Sequence, residues 1–149
     1  MSYTSIYLHI VLVTRHRINC IIPAKEKILF EYIWEVLKSK NVTLIRMNAA
    51  LNHLHMLVKM PSDLAPANLV RDVKRSSSLM MKRSLDLPGF VGWSREYAAL
   101  SVSQEGVDAV KNYITNQKEH HKVTQLIDEY RSMLSDERRE RFDAAWFDQ

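Results

Sequence analysis

Cysteine is nearly missing from this chain of 149 residues. The single one, Cys20, excludes an internal disulfide framework and any cysteine-rich zinc centre, so a reducing, cytoplasmic setting is expected. Glycine is scarce as well, with three in all, which leaves no material for the Gly-rich phosphate loops of nucleotide-hydrolysing enzymes. No uninterrupted apolar run approaches the roughly 20 residues that a membrane helix needs. The opening MSYTSIYLHIVLVTRHR places its apolar stretch before its basic residues, the reverse of a secretion signal, and lacks a small-residue cleavage site. A soluble protein is expected, without repeats or low-complexity segments.

What is present suits one globular domain over residues 1–149, with a core over about 1–120 and a helical extension over about 121–149. Hydrophobic residues make up 46% of the chain, enough for a real core. The net charge of +4 is compatible with a nucleic-acid partner, since Lys and Arg displace counterions from phosphates. Charge alone does not decide, because many proteins with no such partner carry a similar excess.

From Ser5 to Thr14, Ile6, Leu8, Ile10 and Leu12 alternate with Tyr7, His9, Val11 and Val13, the period of a central strand. The basic turn Arg15-His16-Arg17 follows. Pro23 then opens a helix running to about Lys40, with Ile28, Leu29, Ile33, Val36 and Leu37 as its apolar stripe. Val42 to Ala50 and Leu54 to Met60 form two β-rich runs about the short break Asn52-His53, an antiparallel hairpin. Ala67 to Leu85 has helical spacing at Leu69, Val73 and Leu79, and its polar side carries Arg71, Lys74, Arg75, Lys82 and Arg83. Pro88-Gly89 ends that helix. Phe90–Trp93 and Ala98–Val102 read as two short strands or one interrupted strand, and Ser103 caps a helix from about Gln104 to Lys118. A charged helix with Leu126, Ile127, Tyr130, Met133 and Leu134 on one face continues the chain. This order implies an α+β fold, a ferredoxin-like or RRM-like antiparallel sheet with helices on one face, plus a C-terminal helical extension.

His53-Leu54-His55 is the densest chemical feature. Residues i and i+2 of a strand share a face about 7 Å apart, so two imidazoles can meet one cation. The apolar run Met56-Leu57-Val58 puts the pair at the mouth of a buried strand. No anionic ligand lies close by in sequence, since Asp63 falls beyond Pro61. The helix around residue 115 offers Tyr113 and Gln117 at i and i+4, on one face. Two nitrogens, an amide oxygen and a phenol suit Mg²⁺ or Mn²⁺ engaging a phosphate oxygen better than they suit zinc.

Four segments in this order, IVLVTRHR, NHLHMLVKMP, VGWSREYAALSVS and VKNYITNQKEHH, give the chain a resemblance to the single-tyrosine HUH transposases of the smallest bacterial insertion sequences. REP-associated tyrosine transposases are among the relatives of that family. The resemblance spans nearly the whole chain. It departs at Asn52, where relatives often carry an acidic residue, and in the segment Trp93 to Tyr97, which has no glycine.

The resemblance implies a metal-dependent enzyme in which Tyr113 attacks single-stranded DNA at hairpin-flanked ends, leaving a 5′-phosphotyrosine and a free 3′-hydroxyl. It implies His53, His55 and Gln117 as metal ligands. It further implies a homodimer in which the tyrosine helix of one subunit completes the His site of the other, a role that would account for the C-terminal additions. The cations Arg15, Arg17, Arg71, Lys74, Arg75, Lys82 and Arg83 are candidates for phosphate contacts, and Trp93 and Tyr97 for stacking on unpaired bases. A solvated face and a packed core are the alternatives for those two groups.

Three rival readings remain at this stage, the least favoured by the motif set being a structural dimer that binds no DNA. RRM-like domains share the sheet order and bind single strands without cutting them, though no Lys/Arg-Gly-Phe-x-Phe strand motif is present. A domesticated relative that processes chromosomal palindromes would have the same chemistry.

Overall fold

The computed structural model describes residues 2–83, 87, 89–120 and 126–133. The chain runs through β1 (Ile6–Thr14), a 3₁₀ turn (Arg15–Arg17), α1 (Pro23–Ser39), β2 (Thr43–Ala49), β3 (His53–Met60), α2 (Pro66–Arg83) and β4 (Trp93–Val102). A second 3₁₀ turn (Gln104–Gly106), α3 (Val107–Thr115), α4 (Gln117–His120) and α5 (Leu126–Met133) follow. The four strands form one antiparallel sheet in the order β2-β3-β1-β4, which puts β1 in the middle as its alternation predicts.

The two rows of β1 face different layers. Leu8, Ile10 and Leu12, with Leu54, Met56 and Val58 of β3, pack against Leu29, Ile33 and Leu37 of α1 and Leu69, Val70 and Val73 of α2. Each such side chain contributes roughly 1.5–3 kcal/mol of burial, so this layer holds the fold together. The opposite row, His9, Val11 and Val13 with His53, His55 and Leu57, is buried too. Strand pairing sets Val11 across from His55 and Val13 across from His53. The expected sandwich of sheet and helices is therefore present, and α3 returns to cover β2 and β3 on the histidine side. Burial on both faces is why β1 reads as a nearly continuous apolar run.

Several local expectations change. Ile28 and Leu79 are 55% and 54% exposed, not core. The α2 stripe is Leu69, Val70, Val73, Ser77 and Met81, and Leu79, two residues from both Ser77 and Met81, falls on the far side of the helix. β4 is one strand, with a register shift against β1 between Leu12 and Thr14. The predicted helix over 104–118 is broken: Ser103 Oγ accepts from the Gly106 N–H to open the 3₁₀ turn, and Asn116 (φ −94°, ψ 19°) separates α3 from α4. Leu134, Pro88 and the extension after Met133 lie outside the described residues. No described helix is long and apolar enough to cross a membrane.

Candidate active site and metal centre

β3 opens on His53, and its pleat turns His53 and His55 to the same side, with ring centroids 5.0 Å apart and both side chains fully buried. Each imidazole has its Nδ1 engaged. His53 Nδ1 donates to Asn52 Oδ1 at 2.8 Å, and because an amide oxygen only accepts, His53 Nε2 keeps its lone pair. His55 Nδ1 lies 2.7 Å from Nε2 of His9, a buried residue of β1.

α3 and α4 are pinned over this pair by β2. Asn48, opposite His55 in the sheet, donates through Nδ2 to the carbonyls of Ile114 (3.0 Å) and Thr115 (3.2 Å), which end α3 and need partners. Lys118 Nζ reaches Asn48 Oδ1 at 2.9 Å and Glu26 Oε2 at 3.1 Å. The Tyr113 ring thereby lies 5.9 Å from that of His55, and Gln117, fully buried, sets Nε2 3.1 Å from His53 Nε2. His53, His55, Tyr113 and Gln117 thus meet within one chain.

The fifth member is Glu129 of α5, 2% exposed, which sequence reasoning missed. Its Oε1 accepts from the Tyr113 hydroxyl and, at 2.9 Å, from Gln117 Nε2. It also lies 3.3 Å from His55 Nε2, while Oε2 is 3.6 Å from His53 Nε2. No anionic ligand was expected, and the segment carrying it was assigned to dimerisation. One signal was available: Glu129 is three residues after Leu126 and four before Met133, a carboxylate on an otherwise apolar helix face.

The donors fit a divalent cation. One ligand atom each from His53, His55 and Glu129 lies within 4.8 Å of the others, and all three residues are buried. The Gln117 amide N–H now points at the donors that would face such an ion, while its Oε1 is buried without a hydrogen-bond partner. Turning that amide over would present the oxygen instead, so the expected role of Gln117 needs one rotation.

Burial sets the electrostatics. His9 is pushed down to about 3 by desolvation first and by the neighbouring His55 second, with the Glu129 charge opposing. Tyr113 is held far above the usual phenol value, first by burial, then by its hydrogen bond to Glu129 and the charge of that carboxylate. The tyrosine in this arrangement is a phenol, not a phenolate. Beside it opens a cavity of about 270 Å³ lined by His9, Ala109, Val110, Tyr113 and Met133.

The expected DNA contacts separate into groups. Arg15 and Arg17 sit in the turn after β1, and the Thr14 N–H bonds the Asn52 carbonyl at 2.9 Å, so this basic turn adjoins the start of β3. Arg71, Arg75, Lys82 and Arg83 are exposed on α2, across the sheet from the histidines. Lys74 is half-buried and donates to the carbonyls of Ser94 (2.8 Å) and Arg95 (3.1 Å), tying α2 to β4. Of the two readings of Trp93, base stacking and core packing, the contacts fit the second. Trp93 is 5% exposed, packs edge-on against Phe90, and donates Nε1–H to Ser77 Oγ at 2.9 Å, so its faces belong to the core.

The family profile described as "Transposase IS200 like" matches residues 2–117. Among solved structures, a Deinococcus radiodurans R1 protein described provisionally as a transposase aligns with a TM-score of 0.61 at 19% identity, covering 78% of this chain and 93% of that one. A REP-associated tyrosine transposase bound to a REP hairpin aligns at 0.63 and 13% identity, covering 81% and 72%. At these identities the likeness is one of fold. No curated protein matches.

Proposed function

This chain belongs to the IS200-like transposase family, and on that premise we propose that it cuts and rejoins single-stranded DNA at hairpin-flanked ends by transesterification through Tyr113. The observation that carries this reading is the meeting of Tyr113 with His53, His55, Gln117 and Glu129 at one buried point. A non-cutting nucleic-acid binder has no use for a phenol held against two imidazoles and a carboxylate. A hairpin substrate is supported by the REP-associated neighbour, which was captured on one.

Cleavage requires the Tyr113 proton to leave, and Glu129 Oε1 is already its hydrogen-bond acceptor. As the proton passes to Glu129, the tyrosine oxygen forms a bond to phosphorus and the bond from phosphorus to the 3′-oxygen breaks. The departing oxygen takes up a proton from water to become the 3′-hydroxyl, and Glu129 releases the tyrosine proton to solvent. Rejoining is the reverse with a second 3′-hydroxyl, and because a phosphotyrosine conserves the phosphodiester it needs no nucleotide triphosphate. His53, His55, Glu129 and, once turned, Gln117 would hold Mg²⁺ or Mn²⁺, which supplies Lewis-acid polarisation of the phosphate. Arg15 and Arg17, in the turn beside the start of β3, would draw the DNA backbone toward the histidines. Holding two ends together calls for two chains, so the working unit under this reading is a homodimer.

The test is incubation with hairpin-ended oligonucleotides and Mg²⁺, followed by mass mapping of any covalent adduct. An adduct on Tyr113 that disappears in Tyr113→Phe is the expected result. Cleavage that survives in Tyr113→Phe overturns the assignment.

A further inference from the structure

We propose that His9 is the positioning residue for His55, selecting the tautomer in which His55 Nε2 turns a lone pair toward the cation. This rests on the reading of His53 and His55 as metal ligands given above.

His9 stands in the middle of β1, in a row with Tyr7, Val11 and Val13, and is 5% exposed. An imidazole there costs free energy relative to a valine unless its nitrogens are bonded. The strand register explains its partner. His55 is paired with Val11, so His9, two residues along β1, is its diagonal neighbour and within reach of a ring side chain. The rings lie 5.0 Å apart and 33° from parallel, with Nε2 of His9 2.7 Å from Nδ1 of His55.

One proton occupies that line, and it has two places to be. With the proton on His9 Nε2, His55 Nδ1 accepts, and a neutral His55 carries its own proton on Nε2, facing Glu129 Oε1 at 3.3 Å. That form satisfies the carboxylate but cannot bind a cation through Nε2. With the proton on His55 Nδ1, His9 Nε2 accepts, and His55 Nε2 offers its lone pair. Passing from the first form to the second removes a proton from His55 Nε2 and adds one to His9 Nδ1, so the pair as a whole neither gains nor loses one.

His53 differs. Its Nδ1 faces an amide oxygen that can only accept, which presets Nε2 for ligation. One ligand is therefore fixed by Asn52, and the other is convertible through His9. In the loaded site His9 serves as the acceptor that holds His55 in its ligating form, the job usually given to a carboxylate or carbonyl behind a metal-bound histidine.

Two measurements on the full chain test this. In ¹⁵N-labelled wild-type protein with Mg²⁺, NMR is expected to show a through-hydrogen-bond coupling between His55 Nδ1 and His9 Nε2, with the proton attached to His55. A proton attached to His9 Nε2 in that state, or no coupling, overturns the proposal. Calorimetry with Mn²⁺ is expected to show affinity about ten- to a hundredfold weaker in His9→Leu, with His9→Gln, which restores an acceptor, recovering most of the loss. Unchanged affinity in a His9→Leu protein with native circular dichroism overturns it as well. Should His9→Leu fail to fold, the wild-type NMR result decides alone. Wild-type protein that binds neither ion removes the metal reading itself and this inference with it, an outcome distinct from a wild type that binds and a variant that binds equally well.

Discussion

Asn52 sets its side-chain oxygen 2.8 Å from Nδ1 of His53, the next residue in the chain. An amide here orients the imidazole as an acidic residue would, but without a charge to raise its basicity. Asn52→Ala is expected to weaken Mn²⁺ binding about tenfold or more, and Asn52→Asp to strengthen it, both measured by calorimetry. Weaker binding by the aspartate variant would show that the oxygen is not turned toward His53.

Glu129→Gln separates two effects. Removing the charge and the carboxylate acceptor takes away two of the three influences that favour the phenol, so ionisation of Tyr113 is expected at lower pH, nearer the ordinary value of about 10. Burial remains and keeps it from falling all the way. Tyrosinate absorbance against pH reads this, while Mn²⁺ calorimetry on the same variant is expected to show weaker binding. A Tyr113 titration identical to that of the wild type would mean that the pair does not form in solution.

Because the histidines and the tyrosine meet within one chain, mixing His53→Ala subunits with Tyr113→Phe subunits is expected to restore no cleavage. Neither protein carries both halves in one site. Recovered cleavage in the mixture would show that subunits exchange the tyrosine helix.

Trp93 is a core residue by its contacts, so its loss is expected to act on stability. Trp93→Ala costs about 3–5 kcal/mol by the usual scale of large-to-small core changes, and Trp93→Phe less, through loss of the bond to Ser77. Thermal melting reads the cost. Fluorescence anisotropy with a single-stranded oligonucleotide is expected to give the same affinity for Trp93→Phe as for the wild type.

Burial pushes the Cys20 thiol up from 9.0 to about 11. Since the thiolate is the reactive form, less of it exists at pH 8 than in a free cysteine, and labelling of the native protein is expected to be slow. The rate should climb as pH approaches 11, and should reach that of free cysteine in denaturant at any pH.

The parts of this site legible in the sequence are those with a local signature. Two histidines two apart on an apolar strand, and a tyrosine and glutamine four apart on a helix, announce shared faces before any tertiary structure is known. His9 has no such signature. It reads as one more member of an alternating row, and only the register of β1 against β3 brings it to His55. Glu129 shares a helix face with Leu126 and Met133, which sets it apart from Asp128, but nothing nearby in sequence says that this face meets the histidines. For Trp93 the sequence leaves base stacking and core packing both open, because its partner Ser77 lies on a helix 16 residues earlier. Ile28 and Leu79 show the converse, apolar residues at helical spacing that the packing leaves in water.

The hydrogen bond between His9 and His55 closes 46 residues of chain, and that between Gln117 and His53 closes 64. Since synthesis runs from the N-terminus, a growing chain holds its histidines well before it has Tyr113, the proposed nucleophile, and gains Glu129 later still. A copy halted anywhere before α3 carries half a site with nothing to cut. Under the proposed function, a product terminated before Tyr113 lacks the attacking group and carries no nicking hazard.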